Sequence, residues 1–149
     1  MNTSRHEHTG ASDQVVWDRV LTLHARVERD LAQAMTRRHG IGLSEYRALE
    51  SLSRAKDGEL RMQELADAVG LGQSSVTRLV ARLENAGFAL KDLCASDRRG
   101  VYAIVTDLGR ERYRDARATY AEVLAATLNS FTADPDFAPT VQSLRGAPA

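Results

Sequence analysis

The chain has 149 residues, 43% of them apolar and 27% charged, which suits one globular domain, alone or with helical extensions. Lysine plus arginine and aspartate plus glutamate both number 20, so the formal net charge is zero and binding to nucleic acid through bulk charge alone is excluded. No apolar run reaches the roughly 18–20 residues of a membrane span, the opening MNTSRHEHTGASDQ lacks the apolar core of a signal peptide, and one cysteine, Cys94, excludes an intramolecular disulfide, so a cytoplasmic protein with no membrane partner is expected.

Residues 1–11 are polar, without periodicity, and are expected to form a flexible tail. From Ser12, apolar residues recur at helical spacing: Val16, Val20, Leu23, Val27, Leu31 and Met35. Ser12 or Asp13 is the expected N-cap, and Arg37, Arg38 and His39 complement the dipole at the far end, before Gly40. The stripe is longer than a small domain can cover, which points to a partner surface. A second helix is expected from Leu43, with Ser44 as cap and Tyr46, Leu49 and Leu52 inward. Lys56-Asp57-Gly58 reads as a turn and 59–61 as a very short strand.

A two-turn helix with Leu65, Ala66 and Val69 inward ends at Gly70, and a further helix from Gln73 to Asn85 buries Val76, Leu79, Val80 and Leu83. Residues 88–93 and 101–105 read as the strands of a hairpin around the loop CASDRRG. Thr106 caps a long helix whose apolar face includes Leu108, Tyr113, Ala116, Tyr120, Val123, Leu124 and Phe131. Phe137, Val141 and Leu144 mark one more short helix, with Pro139 in its first turn.

The middle of the chain carries the chemistry. Two helices meeting at a tight angle need a small residue at the crossing, a residue that tolerates positive φ in the turn, and branched apolar pins. Ala66, Gly70, Val76 and Leu79 fill these roles. The second helix then presents Gln73, Ser74, Ser75, Thr77, Arg78 and Arg82, with no acid from Gln73 to Leu83. Short polar side chains let such a helix sit deep in a major groove, and an arginine pairs bidentately with guanine. Arg98 and Arg99 lie together at the loop tip. Because charges beyond about 10 Å are screened, these local cations matter more than the neutral total. A solvated face on an ordinary helical hairpin is the alternative for the helix alone, but the hairpin that follows is the order expected of a wing. The fold class is therefore mainly α with a small β-hairpin wing: a winged helix-turn-helix, with double-stranded DNA as the expected partner.

These residues resemble the MarR family of bacterial transcriptional regulators. The resemblance rests on Leu43-Ser44, Glu64-Leu65-Ala66, the run Ser74-Ser75-Val76-Thr77-Arg78-Leu79-Val80, Leu83-Glu84 with Gly87-Phe88, the pair Asp97 and Arg99, and Val105-Thr106 with Gly109. It covers residues 43–109 closely and the flanking long helices in layout. It implies a homodimer held by an N-terminal helix over 12–40 and C-terminal helices over 107–145, with a DNA-binding domain over 43–106. Each domain would address half of a palindromic site, Arg99 reaching into the minor groove and Asp97 bracing it. In the alternative, Asp97 and Arg99 only stabilise the hairpin turn. Repression is expected over activation, under control of a small lipophilic or phenolic effector. Two departures stand out: Lys91 occupies a position where the family usually has arginine, leaving a point-charge contact to phosphate. Arg61 and Met62 stand where Ser or Thr often opens a helix, so a cap is lost or Arg61 becomes a phosphate contact.

Other chemistry is weaker. Cys94 has no second cysteine to resolve a sulfenic acid, so an inert thiol is expected. His6 and His8 fall in the tail, and His24 and His39 are about four helical turns apart, too far for one metal ion. Trp17, His24, Tyr46, Arg47, Tyr113 and Tyr120 are candidate effector contacts, with core and interface packing preferred for them. There is no phosphate loop, HExxH or nucleophile elbow, so neither an enzyme nor a cofactor is expected. The competing function is a winged module that binds a protein instead of a DNA site. The arginines at 78, 82, 98 and 99 speak against it, because protein-binding faces shed charge at their centre.

Overall fold

The computed structural model describes residues 10–93 and 100–146, in the order α1 (Gly10–His39), α2 (Leu43–Arg54), a 3-10 turn (Lys56–Gly58), β1 (Glu59–Arg61), α3 (Met62–Val69), α4 (Gln73–Asn85), β2 (Ala89–Leu93), β3 (Val101–Val105), α5 (Asp107–Thr132) and α6 (Ala138–Gly146). Two compact units are distinguished: residues 31–122 form one, and the described parts of 10–30 and 123–146 form the other.

The larger unit holds the mainly α fold with its winged helix-turn-helix. Its core is the inward stripe of each short helix: Tyr46, Ala48, Leu49 and Leu52 from α2, Leu65 and Ala66 from α3, and Val76, Leu79, Val80 and Leu83 from α4. The hairpin is wider than expected from 88–105 alone, because β3 is flanked on both sides in a three-stranded antiparallel sheet ordered β1-β3-β2. β1 is in register through Leu60 opposite Ala103, and β2 through Lys91 opposite the same residue.

Several helix starts differ from expectation. α1 opens at Gly10, so Ser12 and Asp13 lie inside its first turn instead of capping it; Asp13 still complements the helix dipole there. Ser44 lies inside α2, whose N-cap is Gly42. The acceptor comes from Glu45, whose Oε2 takes the Gly42 backbone N–H at 3.0 Å. Glu64 repeats the device at the start of α3, its Oε1 accepting the Arg61 N–H at 3.3 Å. The side-chain cap is absent at Arg61, as expected, and Glu64 satisfies only the N–H of Arg61 itself. Thr106 does cap α5, its Oγ accepting the Gly109 N–H at 3.0 Å.

Gly70 closes α3 in the left-handed region at φ 70° and lets the chain turn into α4. Asp57 adopts the same region, at φ 57°, inside the 3-10 turn. Gly109 answers a different need: a Cβ there would stand 2.1 Å from the Phe88 carbonyl oxygen, which accepts the Thr106 N–H at 3.0 Å. α5 can abut the end of β2 only without a side chain at that point.

The smaller unit leaves apolar surface uncovered. Val15, Val16, Trp17, Val20 and Leu21 are all exposed on α1, as is Leu144 on α6. Phe131 and Phe137 pack against each other with centroids 4.8 Å apart. Leu108 on α5, expected to face inward, is 48% exposed, because its place at the helix start lies beyond the core that receives Tyr113 and Ala116.

Candidate nucleic-acid interface

α4 is held from beneath by four side chains with no exposed surface, Val76, Leu79, Val80 and Leu83. Burial of that stripe fixes which residues face out. Gln73, Ser74, Thr77, Arg78 and Arg82 are exposed and Ser75 is half-buried. The face contains few internal polar contacts: the Thr77 hydroxyl donates back to the Gln73 carbonyl at 2.9 Å, and Arg78 Nη2 reaches Ser75 Oγ at 3.5 Å. Gly72, at the N-cap, offers no side chain to the first-turn N–H groups, and no acid stands in that turn. The start of α4 is thus both small in profile and electropositive.

Arg82, nearer the other end of the helix, is engaged. Its Nε donates to Glu45 Oε1 at 3.2 Å. Lys91, on β2, has its Nζ 3.9 Å from Glu84 Oε1. Arg82 and Lys91 therefore each carry an acid beside them, which sequence spacing did not reveal. Asp97, Arg98 and Arg99, the wing-tip candidates, lie outside the described residues, as do Cys94, His6 and His8. The two strands β2 and β3 are described up to Leu93 opposite Val101.

Between α4 and the sheet runs an open cleft of about 430 Å³, lined by Arg61, Gln63, Gln73, Thr77, Lys91 and Gly100 among others. Arg61 enters it from the junction of β1 and α3. Its Nε donates to the Tyr102 hydroxyl at 3.0 Å and its guanidinium lies 5.7 Å from the centre of the Tyr102 ring. The cross-strand register explains the meeting, since Arg61 and Tyr102 are directly opposed. The cleft thus combines one wall of the exposed α4 face with cations from two other elements, and its width is open to solvent.

Of the aromatic residues considered for an effector, Trp17 is exposed, whereas Tyr46 and Tyr113 are packed. Tyr46 is 2% exposed and Tyr113 7%. Tyr46 stacks on Tyr120 at 4.7 Å with planes 16° apart and meets Tyr113 at 5.5 Å. Burial pushes the Tyr46 phenol up to about 12, with the nearby Glu50 carboxylate acting in the same direction. His39 shares a 2.8 Å hydrogen bond with Thr119 Oγ, and His24 lies 3.9 Å from Glu28. No cluster of three metal-ligating side chains occurs among the described residues, and no helix among them is long and apolar enough to cross a membrane.

A family model described as the MarR family matches residues 39–100, the span from the end of α1 to the residue before β3. Two relatives come from Bacillus subtilis. The HTH-type transcriptional regulator YkoM is 32% identical over 51% of this chain and 48% of its own length, so the match spans about half of that protein. The HTH-type transcriptional repressor MdtR is 26% identical over 82% of this chain and 79% of its length. Among solved structures, the MarR family regulator Sco3205 of Streptomyces coelicolor, crystallised with DNA, superposes with a TM-score of 0.77 at 26% identity, covering 96% of this chain and 89% of that one. AbsC from the same organism, another MarR family regulator, superposes with a TM-score of 0.74 at 25% identity over 96% of this chain and 100% of that one.

Proposed function

We propose that this chain, which belongs to the MarR family of transcriptional regulators, is a homodimeric cytoplasmic repressor whose two winged units grip the halves of a palindromic DNA operator. The observation that carries the reading is the exposed, acid-free face of α4 standing beside a cleft that Arg61 and Lys91 line. Gln73, Ser74, Ser75, Thr77 and Arg78 read base edges in the major groove, where short side chains allow close approach and Arg78 selects guanine. Arg82 and Lys91 hold phosphates, Arg98 adds charge at the wing tip, and Arg99, braced by Asp97, enters the minor groove. The known DNA complex of Sco3205 and the repressor name of MdtR support the partner and the sign of regulation. A small lipophilic or phenolic effector changes the spacing of the wings and so the affinity.

The test is binding of the purified full chain to a duplex from directly upstream of its own gene, beside a scrambled duplex, at stated salt. Arg99→Ala should weaken specific binding by about 1–3 kcal/mol and leave the thermal midpoint and the dimer unchanged. An unchanged affinity would remove the wing from the mechanism. Absence of binding to any duplex at low salt would replace this reading with a protein-binding module.

A further inference from the structure

We propose that Glu45 is a positioning residue for DNA binding: it holds Arg82 so that the outer edge of the guanidinium is presented to a phosphate. The inference rests on the DNA-binding reading above and adds to it a residue on α2, outside the recognition helix.

The Glu45 carboxylate is held by two elements at once. Oε2 accepts the Gly42 N–H at 3.0 Å and Oε1 accepts Arg82 Nε at 3.2 Å. Two donors on separate oxygens fix the direction of the group as well as its place. The two partners differ in exposure: the Glu45 side chain is 20% exposed and that of Arg82 56%. The acid is therefore sheltered and the cation faces solvent. Among the described residues the Arg82 guanidinium has no second partner, so its Nη groups keep their donors. A guanidinium bonded at Nε loses much of the rotamer freedom that an arginine otherwise gives up on meeting a phosphate.

Position along α4 agrees. Arg82 follows Ser75 and Arg78 by seven and four residues, so the three share one stripe of the helix. It stands about 13 Å along the axis from Gln73, at 1.5 Å per residue. That distance takes it away from the end that addresses base edges and toward where a backbone would cross. Glu45 also stands 37 residues from Arg82 in the chain, so the start of α2 and the last turn of α4 are tied by this one carboxylate. An acid close to DNA ordinarily repels it; here the acid is neutralised by the cation that it aims.

A double-mutant cycle in the full chain decides the matter, reading operator affinity against salt concentration together with the thermal midpoint. Arg82→Ala should weaken binding several-fold and reduce the salt slope by about one. Glu45→Gln keeps an acceptor for the Gly42 N–H but releases the charged hold on Arg82. It should weaken binding about threefold in the wild-type background, with the slope retained, and fail to weaken it when Arg82 is already alanine. If Glu45→Gln changes affinity by one common factor in both backgrounds, Glu45 acts only through helix stability or general repulsion and the proposal falls. An unchanged salt slope in Arg82→Ala would equally overturn it, since Arg82 would then be a structural pin. Both results are read on a wild type that binds; a wild type that binds no duplex overturns the DNA-binding reading itself, and this one with it.

Discussion

At the scale of single residues, two buried positions show how local chemistry sets stability. Gly109 is required by proximity, because the Phe88 carbonyl oxygen occupies the space a Cβ would take, at 2.1 Å. Backbone on both sides must move to admit a methyl group. Gly109→Ala should therefore lose about 1–3 kcal/mol, read as a lower urea midpoint with an unchanged slope. Gly70→Ala, where no atom lies within 4 Å of the added carbon, gives the contrasting case in which only the positive φ is penalised. Tyr46 carries a pH signature. Its phenol, raised by burial to about 12, stays neutral in the folded chain when the unfolded chain ionises near pH 10. The stabilisation is present in full below that point and is lost as pH rises from about 10 toward 12. Tyr46→Phe should reduce the fall in stability between about pH 10 and pH 12, and an identical fall in both proteins would refute the assignment. The tyrosine pattern was legible in the sequence as a set of inward or effector-facing residues; that they stack on one another was not, because Tyr46 and Tyr120 are 74 residues apart, a separation that periodicity does not connect.

Among elements, α4 was the most legible. Its bounds, Gln73–Asn85, and its four buried residues follow from a 3.6-residue repeat that is nowhere interrupted. The same burial makes the face brittle. Leu79→Ala, at a position with no exposed surface, should cost about 2–5 kcal/mol and loosen α4 before the sheet. Hydrogen exchange would show it as lost protection over α4; uniform loss across the unit would mean that the helix and sheet unfold together. The helix starts were less legible. Ser12 and Ser44 are good caps by residue type, yet α1 and α2 begin ahead of them, and at α2 and α3 the acceptor is a glutamate three residues into the helix. Residue type at the cap was a weaker guide than the acid at the third position, a signal present in the sequence as Glu45 and Glu64. The pairing of β1 with β3 lay beyond the reading of a hairpin, since a three-residue strand has too little pattern to choose its neighbour.

For the whole molecule, the exposed apolar residues of α1 bear on assembly. Val15, Val16, Trp17, Val20 and Leu21 lie between 37% and 60% exposed within the isolated chain. A cluster of exposed apolar residues of that kind marks a contact surface, and the proposed dimer would cover it. Val16→Glu with Val20→Glu should turn a dimer into a monomer in light scattering and weaken operator binding sharply, because each half-site alone offers half the contacts. A double variant that stays dimeric would move the interface elsewhere. In the dimer, half-sites should be centred about one helical turn apart, close to 10 bp; a duplex with half a turn inserted between them should bind poorly.

The sequence by itself determined the elements, the inward stripes and the exposed polar face of α4, because each depends on spacing within one short window of chain. It also carried the family resemblance, through residues 43–109. Only the tertiary structure decided which partner each cation meets: Glu45 for Arg82, Glu84 for Lys91, and the Tyr102 hydroxyl for Arg61. Those pairings depend on how separate helices and strands are packed, and periodicity within one element is silent about distances between elements. An exposed arginine and an aimed one look the same in a sequence; burial of the partner carboxylate is what separates them.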